Sequence, residues 1–370
     1  MITIKDISVS GLQDFIRSSD YKTMNDIPIT RHRGLSHINN PSAAPDDRIL
    51  FLAYDNDKFA GYLGAMPDEM KSDHRSIKVA WLSCMWVDRS QRGKGIAPML
   101  LTHAYKTWNG NLLITNFIPI AKRAYDKTGL FTELISLPGI RGYLRFNLEG
   151  ILIAKKSSLA KIRILLRVTD WCLNAMNEIR LLRWHAMKLI RNIEFEYVND
   201  VDDETLNLIK EDVNHYLFPK NRQKLQWFIR NPWILNVPFK DLNGRRYVFS
   251  SGIPYFNQHF IKIYDESHKL IAFVVLTYRE ANLKTPFIFC SNDNAKSVKR
   301  LIYAHALKAG IRTITTYNPV IYNAILSSPN PFIFTRKMNY KFLIGKKLKD
   351  NLGNVSGFVM QEGDGDAAFV

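Results

Sequence analysis

Four consecutive residues, Arg92-Gly93-Lys94-Gly95, have the types and spacing to do chemistry on an anion. Two glycines one residue apart let backbone N–H groups approach a ligand with no Cβ in the way. A helical pattern, Ala97 to Trp108, follows at once. A helix start gathers unpaired N–H groups and the positive end of the helix dipole. Arg92 and Lys94 add positive charge beside it. The stretch therefore reads as a cradle for phosphate or pyrophosphate. Two other cradles are excluded. A P-loop needs Ser or Thr after its lysine and a glycine further upstream, but Gly95 follows Lys94. A dinucleotide fingerprint needs a third glycine where Pro98 stands. Pro98 suits the first turn of a helix, where a missing N–H costs little.

The surrounding pattern alternates strands and helices. Ile2–Ile7 reads as a strand and Ser10–Ser18 as a short helix. Ile49–Asp55 and Phe59–Met66 read as a hairpin with a polar turn at Asn56–Lys58. Ser76–Val87 is a long strand rich in β-branched and aromatic residues. It feeds the glycine loop, then the helix at Ala97–Trp108, a strand at Asn111–Phe117 and a helix opening at Ile120 that Gly129 ends. From Asp203 a similar order recurs. Helices at 203–216 and 223–230 precede strands at 246–251, 259–265, 270–279 and 285–290; then come a helix (295–308), a strand (313–317) and a helix (319–326). The recurrence is architectural, with no letter-by-letter identity.

Between these halves the texture changes. Residues 151–195 hold nine Lys and Arg against three Asp and Glu, about a third of the chain's net charge of +17. Leu159, Ile162, Leu165, Cys172, Met176, Ile179, Leu182, Ala186 and Ile190 repeat at helical spacing. Basic residues such as Arg163, Arg167, Arg183 and Lys188 fill the remaining faces. Thr169-Asp170 reads as the cap of a second helix. The segment is either a helical linker packed between two domains or a helix lying on an anionic membrane surface. No apolar run of spanning length is present, the N-terminus lacks the pattern of a signal peptide, and Cys84, Cys172 and Cys290 form neither a disulfide framework nor a metal pattern. A cytoplasmic protein is expected, with peripheral contact at the inner membrane surface as an option.

Arg92-Gly93-Lys94-Gly95-Ile96-Ala97 matches R/Q-x-x-G-x-G/A and resembles the acetyl-CoA loop of the GCN5-related N-acetyltransferase (GNAT) superfamily. The resemblance implies a mixed α/β sheet and acetyl-CoA as co-substrate. Met85, Trp86 and Val87 then carry its pantetheine arm through strand-like backbone bonds, and one of their N–H groups can serve an oxyanion. Asn116, Ala121, Tyr125 and Gly129-Leu130-Phe131 resemble the family's N-x-x-A-x-x-x-Y-x-x-x-G-F pattern, with longer spacing and one inserted residue. By that resemblance Asn116 belongs to the cofactor site and Tyr125 protonates the departing thiolate. The reaction is direct attack by a small-molecule primary amine, an amino sugar being one candidate. Its base is left open among His37, Asp73, His74 and Ser83. Neither a metal site nor a covalent acyl-enzyme is indicated.

The whole chain resembles a tandem-GNAT protein: residues 1–150 a GNAT domain, 151–195 the basic helical linker, 196–370 a degenerate copy. "RHRGLSHINNP" (31–41) and "MQEGDGDAAF" (360–369) are reminiscent of bacterial acetyltransferases, several associated with surface-polysaccharide gene clusters. The second copy has Ser291-Asn292-Asp293-Asn294 where the glycine loop is due, so no cofactor is expected there. Tyr317, Pro319 and Asn323 receive no catalytic role, and Asp364 or Asp366 could take a substrate amino group. Two alternatives remain. A Fem-like transferase would use aminoacyl-tRNA, against which the intact glycine loop argues. A non-catalytic module would dock its basic helices on a membrane or another polyanion. Under the leading reading no nucleic-acid partner is expected, and oligomeric state is open.

Overall fold

The computed structural model describes all residues except 73–74, 185, 213–214, 239–245, 353–356 and 370. Strand β1 (Ile2–Ser8) leads into helices α1 (Val9–Arg17) and α2 (Arg31–Ile38). Strands β2 (Arg48–Asp55), β3 (Lys58–Ser72) and β4 (Arg75–Val87) follow, then α3 (Ile96–Thr107), β5 (Leu112–Ile114), α4 (Pro119–Thr128) and β6 (Phe131–Tyr143). Helices α5 (Leu148–Lys155) and α6 (Arg163–Leu181) precede β7 (Glu194–Tyr197), α7 (Asp203–Glu211) and α8 (Arg222–Arg230). Then come β8 (Phe256–Tyr264), β9 (Leu270–Arg279), β10 (Asn282–Cys290), α9 (Ala295–Lys308), β11 (Thr313–Thr316), α10 (Pro319–Leu326) and β12 (Phe334–Gly345).

These elements pack into two units that do not follow chain order. One holds residues 1–137, 199–256 and 340–370; the other holds 138–198 and 257–339. The expected cuts at 150 and 195 are therefore not those of the packing. The reason lies in two strands. β12 follows the whole second unit in sequence, yet its end returns to the first unit and pairs antiparallel with β5, Leu343 opposite Ile114. The end of β6 joins the second unit, with Tyr143 opposite Thr313 of β11. Residues 246–251 also differ from expectation. They form no strand, and their backbone bonds to other segments, the Arg246 carbonyl accepting from Ile27 N at 2.9 Å and the Ser251 carbonyl from Leu235 N at 3.0 Å.

In the first unit β1 to β4 form an antiparallel meander. Asn56 and Asp57 turn the β2–β3 hairpin with φ of 46° and 65°, the left-handed pair that short hairpins favour. β4 and β5 are parallel and pair only over Ala80–Leu82. Leu100, Leu101 and Ala104 of α3 pack with Leu63, Leu82 and Ile114 of the sheet in one apolar core. In the second unit β9 and β10 are antiparallel, β10 and β11 parallel, and α9 covers the sheet. Thus the second half does repeat the strand–helix–strand order of the first.

Candidate active site in the first unit

The glycine loop is shaped by its backbone. Gly93 and Gly95 have φ of 90° and 79°, a region that side chains disfavour. A Cβ built on either would meet nothing within 4 Å, so the loop needs glycine for conformation and leaves open space beside it. Gly95 is the N-cap of α3 and brings no side-chain cap, which leaves the first N–H groups of the helix available. The loop base is fixed by Asp88, which accepts from Ser90 N at 2.7 Å and donates its own N–H to the Ala60 carbonyl at 2.9 Å.

A cleft of about 420 Å³ opens at this helix start, lined by Val87, Arg92, Gly93, Gly95, Ile96 and Ala97 from the loop side. Arg123 and Lys127 of α4 line the opposite side. These two cations were not singled out from the sequence, although their spacing puts them one helical turn apart. Lys94 departs from its expected role. Its Nζ lies 2.7 Å from the Asp55 carboxylate and its side chain does not line the cleft. Asn116 is exposed at φ 49° in the turn after β5, a position set by the turn's left-handed backbone.

The segment Met85-Trp86-Val87 continues β4 past its last pair with β5. On one side it remains hydrogen-bonded to β3, with Trp86 opposite Tyr62 and Val87 opposite Gly61. The register then slips, and Gly64 faces Ser83. Cys84 sits in this bulge at φ 54°. A bulge turns a strand and re-aims its groups, here where β4 has parted from β5.

Several ionisable groups converge on the bulge. Tyr125, on α4, is buried with its ring edge-on to Phe117 and Phe131. Burial raises its phenol pKa, and the nearby Cys84 and Asp366 push the same way, so it holds its proton. The Cys84 thiol is likewise raised by burial, against the pull of the Arg33 guanidinium, which makes it a poor nucleophile. Arg33 of α2 donates from Nη2 to Asp366 at 2.5 Å and to Ser83 Oγ at 3.4 Å. Burial pushes the Asp366 carboxyl above its usual range while Arg33 opposes that shift. The two sequence motifs at 31–41 and 360–369 thus meet through Arg33 and Asp366. Asp364 does not face the site. It is buried against Lys220 Nζ at 2.6 Å and accepts from Gln361 N at 2.8 Å.

His37 is buried beside Arg33, and the two effects push its imidazole down to about 3. It is neutral at ordinary pH and a weak base. Ser83 serves as a hydrogen-bond acceptor, and Asp73 and His74 lie outside the described residues. The Tyr62 hydroxyl, both His37 ring nitrogens and Trp233 Nε1 are buried with no partner among the described residues. Tyr247, in the segment whose pattern predicts a strand, puts its hydroxyl toward Cys84. No cluster of His, Cys, Asp and Glu suited to a metal occurs among the described residues.

Residues 19–110 match the model of the acetyltransferase (GNAT) family. That stretch of the chain is similar to the GNAT acetyltransferase family. The match includes the glycine loop and stops before Tyr125. The fold is similar to a GCN5-related N-acetyltransferase from Anabaena variabilis, with TM-score 0.51 and 12% identity over 93% of this chain and 72% of that one. A GCN5-related N-acetyltransferase from Kribbella flavida gives TM-score 0.50 and 10% identity over 92% and 70%. A probable N-acyltransferase from Enterococcus faecalis gives TM-score 0.50 and 9% identity over 94% and 73%. At these identities the likeness is one of fold. A search of curated proteins finds no match.

Proposed function

We propose that the first unit transfers an acetyl group from acetyl-CoA to a small primary amine. The observation that carries this reading is the pair of left-handed glycines at the uncapped start of α3, beside a β4 edge that has parted from β5. The match of residues 19–110 to the acetyltransferase family supports it. The residues fit the co-substrate: N–H groups of the loop and α3, with Arg92, Arg123 and Lys127, suit a pyrophosphate. The free edge of Met85–Val87 suits an amide-bearing arm.

The co-substrate supplies a thioester carbonyl. The amine nitrogen forms a bond to that carbon while the C–S bond breaks, and Tyr125 gives the departing sulfur its proton. The raised phenol pKa means that Tyr125 carries its proton when the bond breaks. Asp366 holds the acceptor's ammonium and takes one proton from it before attack, with Arg33 fixing the carboxylate. The second proton, which the nitrogen loses as the amide forms, restores the Tyr125 phenol. The second unit acts without a cofactor of its own. Residues 158–192 are where the chain would touch a membrane surface. The test is thiol release from acetyl-CoA against a panel of amino sugars and simple amines. Amine-dependent release that Tyr125→Phe suppresses supports the reading. Absence of release and of acetyl-CoA binding by folded protein contradicts it.

A further inference from the structure

Helix α6 is mounted with its apolar stripe outward. Ile164, Val168, Trp171, Met176, Ile179 and Leu182 lie 52–79% exposed along one face. Over about 27 Å, at the rise of an α-helix, this face has no partner among the described residues of the chain. An amphipathic helix of a globular protein normally buries such a stripe.

The opposite face explains the orientation. Asn174 accepts from Phe146 N at 2.8 Å and donates to Phe146 O at 3.1 Å. Asn177 donates to Leu144 O at 2.8 Å. Asp170 does not cap a second helix; it accepts from Leu148 N and Glu149 N at 2.7 and 2.9 Å and so caps α5. Arg180 donates to the Pro331 carbonyl at 2.8 Å. Polar side chains thus bind the helix to its unit and aim the stripe away from it. Rolling the helix to bury the stripe would break every one of these bonds.

Charge selects the occupant. Lys155, Lys156 and Lys161 stand exposed before the stripe and Arg183, Lys188 and Arg191 after it. Arg163 and Arg167 share the single carboxylate of Glu149, which leaves one positive charge uncompensated. A second copy would bring the same positive ends. An apolar face framed by cations matches the interface of an anionic bilayer, where acyl chains take the stripe and phosphate headgroups take the Lys and Arg.

We infer that α6 lies in the plane of an anionic membrane surface, with Ile164, Val168, Trp171, Met176, Ile179 and Leu182 inserted. This deepens the membrane part of the reading above and does not depend on acyl transfer. No helix among the described residues is long and apolar enough to cross a membrane, so the contact is peripheral. The test is flotation of the full chain with vesicles of phosphatidylglycerol and phosphatidylcholine, against phosphatidylcholine alone. The wild type is expected to float with the anionic vesicles and to release as salt rises. Ile164→Ser/Trp171→Ser/Ile179→Ser is expected to lose at least tenfold in binding while acetyl-CoA binding is retained. Replacing Lys155, Lys156, Lys161 and Arg183 by Gln is expected to weaken binding without changing oligomeric state. Failure of the folded wild type to float overturns the inference, as does undiminished binding by the triple variant. A wild-type dimer that fails to float and that Trp171→Asp converts to monomer assigns the stripe to a second copy instead.

Discussion

The chain contains the same strand–loop–helix turn twice, and only one version is open. In the first unit β4 runs through Gly93 and Gly95, both left-handed, into an uncapped α3. In the second, β10 runs through Ser291–Asn294 with no left-handed residue, and the turn closes on itself through Asn294 N to Ser291 O and Ala295 N to Asn292 O. The strands beyond differ in the same sense. β10 and β11 stop pairing after Lys284 and Thr315, but Thr285 Oγ1 then donates to Thr316 Oγ1 at 2.8 Å. Asn318 Nδ2 reaches the Ile288 carbonyl at 3.5 Å. In the first unit, Thr115 Oγ1 at the corresponding place is buried with no partner among the described residues. One gap is tied shut by side chains; the other stays open, where the proposed co-substrate would enter. Duplicate topology can thus be kept for packing while the chemistry is confined to the copy whose backbone stays open.

The largest expected effect that sharpens this contrast is at Gly95. Gly95→Glu places a side chain on a left-handed backbone and a negative charge at the anion cradle. Acetyl-CoA binding by calorimetry is expected to fall by at least a hundredfold, with the circular dichroism spectrum unchanged. Next is Tyr125→Phe, which removes the acid. A fall in kcat on the order of a hundredfold, the scale of general acid catalysis, is expected, with KM for acetyl-CoA within about threefold. The raised phenol pKa also has a sign. The wild type should keep its activity through the pH range where an ordinary tyrosine begins to ionise, losing it only above that range. An alkaline limb at or below the ordinary phenol value would remove Tyr125 from the acid role. Arg123→Ala/Lys127→Ala deletes the two α4 cations. A rise of about tenfold in the Kd for acetyl-CoA, growing smaller as salt increases, is the expected result. Smallest is Asp293→Ala/Asn294→Ala in the closed loop, where acetyl-CoA binding should stay within twofold. A larger loss there would break the comparison.

Local features were legible because they are written in adjacent residues. The sequence placed α9 at its observed ends, and α10 also, since apolar spacing and the punctuating Pro319 fix them without help from afar. The Gly93–Gly95 turn was legible for the same reason. What escaped depends on distance. Nothing adjacent to Arg33 announces that its partner is Asp366, 333 residues on. Asp170 looked like a local cap and instead serves Leu148 and Glu149, far upstream. The return of β12 to β5 rearranges the unit boundaries without altering any local pattern. Lys94 fits the loop by type, but Asp55 on a neighbouring strand claims it. Of the stripe on α6, Met176, Ile179 and Leu182 were visible as a period and Ile164, Val168 and Trp171 were not, and its outward orientation is set by Asn174 and Asn177 bonding to backbone on the other face.

The most direct test is the stoichiometry of acetyl-CoA binding to the full chain by calorimetry. One site per chain, abolished by Gly95→Glu and untouched by Asp293→Ala/Asn294→Ala, is the result that the open and closed turns predict. Two sites per chain, or binding that survives Gly95→Glu, would contradict the assignment of the chemistry to the first unit alone.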